Sequence, residues 1–472
     1  MNTPICDFVR TYAAGNPVRL HMPGHKGRTA FGPESADITE IEGADVLYRA
    51  RGIIRESEEN AASLFGTSRT LYSAEGSSLC IRAMLYLASL TGPNRRLLAG
   101  RNAHRTVMTA AALLDIEIDW IMPGEGETIQ NSDREDAGRG NLLSCAVTPE
   151  TLEQRLNEQE YMAVFLTSPD YLGCRADLRA AADICRRHQV PLLVDNAHGA
   201  YLKFLSPDEH PTALGASACC DSAHKTLSCL TGAAYLHLAK NAPENWKEQA
   251  EEAMILFAST SPSWLILQSL DRMNAELAGD YPTRLRDTVR KTTRTKQILE
   301  EEGWMLTGDE PMKITLNAAA AGYTGTELAQ LLRHKGIECE FADREYLVMM
   351  PSAETTEQEW QHLRNVVKAI PRREALQLRK QPLPVPERVM SIREAMLSPS
   401  VEIPVEEAIG GILADAAVSC PPAVPVVIAG ERITAEGAAC MLYHGITKCR
   451  TVRYAAFMNR IQTTEKENGK DE

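Results

Sequence analysis

The feature that most constrains the fold is a rhythm between about residues 60 and 240, where short apolar runs bounded by turn residues alternate with helical patterns. Strands buried on both faces read as near-continuous apolar runs, so this rhythm predicts a parallel sheet covered by helices. "YMAVFLTSPD" (161–170) and "VPLLVDNAHG" (190–199) are the clearest strands, and each ends in polar residues. Between them, "RADLRAAADICRRHQ" predicts a helix with Leu178, Ala181, Ala182 and Cys185 on one face. Upstream, "TPETLEQRL" carries the marks of a helix start: Thr148 as N-cap, Pro149 at the first helical position and Glu150 near the positive end.

After about residue 270 the character changes. A long charged helical stretch, "RLRDTVRKTTRTKQILEEEG", leads to "PMKITLNA", a helix at "GTELAQLLRHKG" and a strand at "YLVMMPS", the pattern of a smaller α+β unit. The proline-rich "KQPLPVPERV" reads as a linker into a third unit. The expected division is an N-terminal arm over 1–35, a large domain over 36–270, a small domain over 271–380, a C-terminal domain over 381–462 and a disordered tail over 463–472.

At 472 residues with a formal charge of −13, the chain is poorly suited to electrostatic binding of nucleic acid or an anionic membrane, and a small-molecule partner is expected. "MNTPICDFVR" has no basic stretch followed by an apolar core, and no later segment is apolar for long enough to span a bilayer, so the expected location is the cytoplasm. The twelve cysteines lack C-x-x-C spacing, which leaves them as reduced, packed thiols rather than a zinc site or a disulfide framework.

Ligands of open α/β sheets collect at the carboxyl ends of the strands, so polar groups there carry the most weight. Four clusters qualify. "SAEGSS" (73–78) places a glycine and two serines at a helix start, which serves either a phosphate or simply the helix cap. Asp195 closes a very apolar strand, where it either caps the next turn or faces a cationic ligand atom. Asn102 and His104 open a helix in "AGRNAHRTVMTAAAL", as a capping segment or as ligand-facing groups. In "DSAHKTLSCLTG", Lys225 lies among Cys219, Cys220, Leu227 and Leu230 with almost no other charge nearby. Semi-burial there would favour a neutral amine, the form that Schiff-base chemistry needs.

A phosphate cradle, a flat group, an acid and a lysine, in that order along the chain, are the four requirements of pyridoxal 5'-phosphate. The resemblance then becomes specific. "RLHMPGHKGR", "DITEIEGADVL", "ENAASLFGTSRTLYSAEGSS", "RNAHRTV", "TSPDYLG", "VDNAHGAY", "DSAHKTLSCLTGAAYLH", "STSPSWLILQSLD" and the long C-terminal segment from "REAMLSPS" follow the motif order of the Orn/Lys/Arg decarboxylase family. The chain resembles the short form, without an N-terminal wing domain. The resemblance implies a fold-type-I large domain like that of aspartate aminotransferase, with a mainly parallel sheet, a smaller α+β domain and a C-terminal α+β domain.

It further implies that Lys225 holds the cofactor aldehyde, Asp195 pairs with the ring nitrogen, His104 stacks on the ring, and Ala197 and His198 line its other side. Gly76, Ser77, Ser78, Ser222 and His224 would hold the phosphate. Thr260 and Ser261 would approach the cofactor of a neighbouring subunit, implying a homodimer or a higher homo-oligomer with shared sites. The implied reaction is decarboxylation of arginine, lysine or ornithine to a polyamine-type amine, with His224 or Lys225 returning a proton to Cα. The enzymatic alternative is another fold-type-I reaction, a transamination or elimination. No metal is expected: Pro23 and Gly24 between His21 and His25 break the helix that an i, i+4 pair would need. The chain departs from the family pattern at Asn196, Thr231-Gly232, Cys420-Pro421-Pro422-Ala423 and Glu75, which bear on substrate identity more than on the cofactor contacts.

Overall fold

The computed structural model describes residues 1–28, 31–125, 144–145, 147–378, 384–416 and 425–453. The tail and the Cys420–Ala423 segment singled out above lie outside the described residues.

The alternating segment folds into seven strands: β1 (Arg69–Ser73), β2 (Arg96–Gly100), β3 (Glu117–Ile121), β4 (Ala163–Thr167), β5 (Leu192–Asp195), β6 (Ala218–Asp221) and β7 (Ala234–Leu238). Their order is β1-β7-β6-β5-β4-β2-β3. β2 to β6 run parallel with β3, while β7 is antiparallel to both β1 and β6. β4 to β7 are almost wholly buried, which explains their unbroken apolar sequences. The predicted helix after β4 is Leu178–Arg187. Leu178, Ala181, Ala182 and Cys185 are buried as expected, and Asp177 caps the helix through the Ala180 amide. Helix Pro149–Glu158 starts where its cap signals place it, with Thr148 accepting from the Thr151 amide.

The second unit is a four-stranded antiparallel sheet of β8 (Leu306–Thr307), β9 (Ile314–Asn317), β10 (Phe341–Ala342) and β11 (Tyr346–Met349), in the order β10-β11-β9-β8. Trp304, Leu316, Leu347 and Trp360 share its core. The third pairs β12 (Ser400–Pro404) antiparallel with β13 (Lys448–Val452) and shares a core with helix Ala435–Tyr443, while helix Ile392–Met396 packs on helix Arg105–Leu114 of the first unit.

Two seams bring these units to the carboxyl ends of the large sheet. At the first, the loop after β4 is laced to the approach to β9. The Asp309 and Glu310 amides donate to Gly173 O, the Lys313 ammonium to Asp170 O at 3.0 Å, and the Thr315 hydroxyl to Leu172 O at 2.7 Å. At the second, Arg101, just past β2, sends its whole guanidinium into the third unit, to Glu431 at 2.8 and 2.7 Å and to the carbonyls of Pro425 and Val426. No helix among the described residues is long and apolar enough to cross a membrane, and the described cysteines are free.

Candidate active site

The four clusters converge. β1 ends at Ser73, and the chain turns through Gly76 (φ 71°) into helix Ser77–Ser89. A Cβ on Gly76 would meet nothing within 4 Å, so the turn opens onto free space, and its amide is tied to Gly232 O at 2.7 Å. The Ser222 hydroxyl, at the end of β6, donates to Ser77 Oγ at 2.7 Å, and Thr106 Oγ lies 3.2 Å from Ser78 Oγ. Four hydroxyls from three segments thus edge one opening.

His104 is the N-cap of helix Arg105–Leu114. Its Nδ1 accepts from the Thr106 amide, which leaves Nε2 to carry the hydrogen of the neutral ring. Burial, and then Lys225, push its pKa down, while Asp195 opposes them, so the imidazole lies in the field of both groups. Asp195 is buried at the end of β5, and its Oδ1 accepts from the Ala197 amide at 3.1 Å. Ala197 and His198 are buried in the turn that follows. His224 is turned by a hydrogen bond from Nδ1–H to Ala233 O at 2.9 Å, and burial lowers its pKa.

Lys225 Nζ lies 3.2 Å from His198 Nε2. One expectation is corrected here. Lys225 is exposed rather than semi-buried, because Leu230 turns outward and the short helix Ala223–Thr226 points the lysine into the open site. Its partner, not its burial, is what prepares it. Burial, followed by Lys313 and Lys225, holds His198 well below the usual imidazole range, so its ring is neutral and its Nε2 can accept a hydrogen bond from Lys225.

Thr260 and Ser261 are exposed in the loop before helix Trp264–Leu277. The loop is tied to the Gly76 turn by Glu75, which accepts from the Ser259 amide at 2.7 Å. His21 pairs with Tyr12 and His25 with Asp37, in separate directions.

Three residues escaped the sequence reading. Lys313, flanked by Met312 and Ile314, is buried in the small unit and donates to Asp170 O, a contact that no local pattern marks. Tyr171 packs edge-on against His198, with centroids 5.4 Å apart, and its hydroxyl donates to Glu340 at 3.3 Å. No local pattern joins residues 171, 198 and 340.

The residues present fit pyridoxal 5'-phosphate. An open turn edged by hydroxyls suits the phosphate, a buried carboxylate suits a ring nitrogen, and the exposed amine of Lys225 suits the aldehyde. The buried Nδ1 of His198 has no partner among the described residues, so the ring has a polar atom still to satisfy.

Comparison with known proteins agrees. Residues 3–319 match the major domain of the Orn/Lys/Arg decarboxylases, and residues 375–472 match their C-terminal domain. The chain is 28% identical to the arginine decarboxylase of Bacillus subtilis over 471 residues, covering 92% of each chain. It is likewise 28% identical to the arginine decarboxylase of Halalkalibacterium halodurans, covering 92% of this chain and 91% of that one. In fold it is similar to the constitutive lysine decarboxylase of E. coli, with a TM-score of 0.73 and 18% identity over 96% of this chain and 82% of that one. It is more distantly similar to a serine palmitoyltransferase of Sphingomonas wittichii, at a TM-score of 0.52 and 13% identity over 78% and 83%. This chain therefore belongs to the Orn/Lys/Arg decarboxylase family, with the fold-type-I architecture and pyridoxal 5'-phosphate as its cofactor.

Proposed function

We propose that the chain removes the α-carboxyl group of a basic amino acid, arginine ahead of lysine and ornithine, to give the corresponding amine. The observation that carries this reading is the Lys225–His198 pair facing the same opening as Asp195, His104 and the hydroxyl-edged turn. The arginine preference is supported by the arginine decarboxylases that align over nine-tenths of the chain.

When bound, pyridoxal phosphate supplies an aldehyde for the substrate amine and a protonated ring that withdraws electrons from Cα. Lys225 would hold the aldehyde. Asp195, a buried carboxyl group, would pair with the protonated ring nitrogen. Gly76, Ser77, Ser78, Ser222 and His224 would hold the phosphate, with His104 on one face of the ring and Ala197 and His198 on the other. Neutral His198 Nε2 would hold the Lys225 amine over the site by a hydrogen bond, and Lys225 rather than His224 is assigned the protonation of Cα. Glu340, presented by Tyr171 two side chains from Lys225, is the carboxylate for the distal cation of the substrate.

Thr260 and Ser261 extend the site across a homodimer, and the free thiols fit a reducing cytoplasm. The test is incubation of the cofactor-loaded protein with each of the twenty amino acids while carbon dioxide and keto acid are followed separately. Carbon dioxide from arginine, lysine or ornithine without keto acid is expected; keto acid as the main product overturns the reading.

A further inference from the structure

Behind the site lies a carboxylate that the reaction does not use. Asp221, the last residue of β6, is fully buried, as are His210, His237 and Asn196 around it. Its Oδ1 accepts from the Asn196 amide group at 2.7 Å; its Oδ2 is 3.0 Å from His210 Nε2 and 3.2 Å from His237 Nε2. Each imidazole has its other nitrogen, Nδ1, 2.8 Å from a threonine hydroxyl: Thr212 for His210 and Thr70 for His237.

The hydrogens in this cluster are fixed by elimination. An ionised carboxylate can only accept, so the nitrogen of each ring that faces it carries the hydrogen, and each Nδ1 accepts from its threonine. Burial pushes the Asp221 carboxyl up, but the two imidazoles outweigh it and hold the group well below the usual carboxylate range. Cys219 Sγ lies 3.8 Å from His210 Nε2; His237 Nε2, although 3.2 Å from Asp221, and Asn196 Oδ1 are buried without a well-aligned hydrogen bond among the described residues.

The cluster joins the two strand ends that carry the chemistry. Asn196 follows Asp195 directly, and its backbone N–H donates to Cys220 O at 3.0 Å; Asp221 directly precedes Ser222 and lies four residues before Lys225. Contact is close enough that a Cβ on Gly199 would fall 2.0 Å from Asn196 Oδ1, so the turn beyond Asp195 is pressed onto this amide. We infer that Asp221 is a positioning residue, which through Asn196 holds the ends of β5 and β6 in register and so sets Asp195 against the Ser222–Lys225 turn. It touches neither cofactor nor substrate. The inference rests on the assignment of Lys225 and Asp195 to the cofactor.

The test compares wild-type holoenzyme with Asp221→Asn and with the reciprocal Asn196→Asp/Asp221→Asn pair, which re-forms the carboxylate–amide bond with its polarity reversed. Pyridoxal phosphate affinity, the visible circular dichroism of the bound cofactor, kcat and KM are read, together with the melting temperature of the apoprotein. Asp221→Asn should weaken cofactor affinity at least tenfold, reduce the dichroic band and lower kcat more than it raises KM; the reciprocal pair should recover most of the affinity. Wild-type affinity and dichroism in Asp221→Asn, whatever its melting temperature, would overturn the inference, as would a reciprocal pair no better than the single variant. Should Asp221→Asn fail to fold, His210→Gln keeps the carboxylate and removes one donor, and unchanged affinity and dichroism there count equally against it. Wild-type protein that yields no borohydride-fixed pyridoxyl group on Lys225 would instead sink the cofactor assignment.

Discussion

Lys225 Nζ and His198 Nε2 stand 3.2 Å apart, the one exposed to the open site and the other buried and uncharged. The neutral imidazole accepts a hydrogen bond from Lys225 and places no second charge beside the amine, the nucleophile this chemistry requires. Replacing Lys225 with alanine should leave the fold intact and remove the borohydride-fixable adduct. It should lower kcat by at least about a thousandfold, which corresponds to about 4 kcal/mol of barrier. Mass spectrometry of the reduced protein and steady-state kinetics check both outcomes.

His198 also sets a pH dependence. Its folded pKa is depressed by burial, by Lys313 and by Lys225, whereas the unfolded value is near 6.5. Below about pH 6.5 the unfolded chain therefore binds a proton that the folded chain refuses, so the contribution of this residue to stability is present above that pH and is lost as pH falls. Asp170, which burial pushes up to about 6, works in the opposite direction, so the effect is read as a difference between variants. Between pH 7.5 and 5.5, denaturant unfolding of His198→Gln should lose less stability than wild type, by about 1 kcal/mol for each pH unit below 6.5.

Arg101 and Glu431 form a bidentate pair that is 1% and 8% exposed. Removing one partner strands the other charge in a dry seam, which typically costs about 3–5 kcal/mol. Arg101→Met should show this loss in chemical denaturation, and limited proteolysis should then cut the C-terminal unit first. The double variant Arg101→Met/Glu431→Leu should be more stable than Arg101→Met alone.

Glu340→Gln tests how the substrate's far end is read. Loss of one charge-assisted contact of about 1.5–3 kcal/mol should raise KM for the preferred basic amino acid about ten- to a hundredfold, with a smaller change in kcat. An unchanged KM would remove Glu340 from the site while leaving the decarboxylase assignment in place.

Shared sites have a quantitative signature. Lys225→Ala and a loop variant, Ser261→Arg, should each be inactive alone. After denaturation and refolding together in equal amounts, half the dimers are mixed, and each mixed dimer has one site with both working parts. About a quarter of the wild-type activity should return. No recovery would mean that each subunit works alone.

How far the sequence led depended on whether the partners of a residue were local. Thr148, Asp177 and the apolar face of helix Leu178–Arg187 were legible because caps and helical periodicity act within a few residues. Asp195 and the Gly76 turn were legible because strand ends and glycine turns announce themselves. The exposure of Lys225 was not, since it depends on where Leu230 points once β7 has turned back. Nor was the pairing of Tyr171 with Glu340 or of Asn196 with Asp221, whose separations of 169 and 25 residues have no periodic signature. Lys313 was hidden for a different reason: a lysine in an apolar run is usually solvated, and only its hydrogen bond to Asp170 O distinguishes it.

The strand order also governs assembly. β1 lies at the edge of its sheet against β7, with Arg69 opposite Leu238 and Ser73 opposite Ala234. Its hydrogen-bonding row has nowhere to dock until a segment made some 160 residues later has emerged and reversed direction. During synthesis on the ribosome, the vitamin can be captured only near the close of large-domain translation. Capture of vitamin B6 would therefore report that this whole layer has been completed.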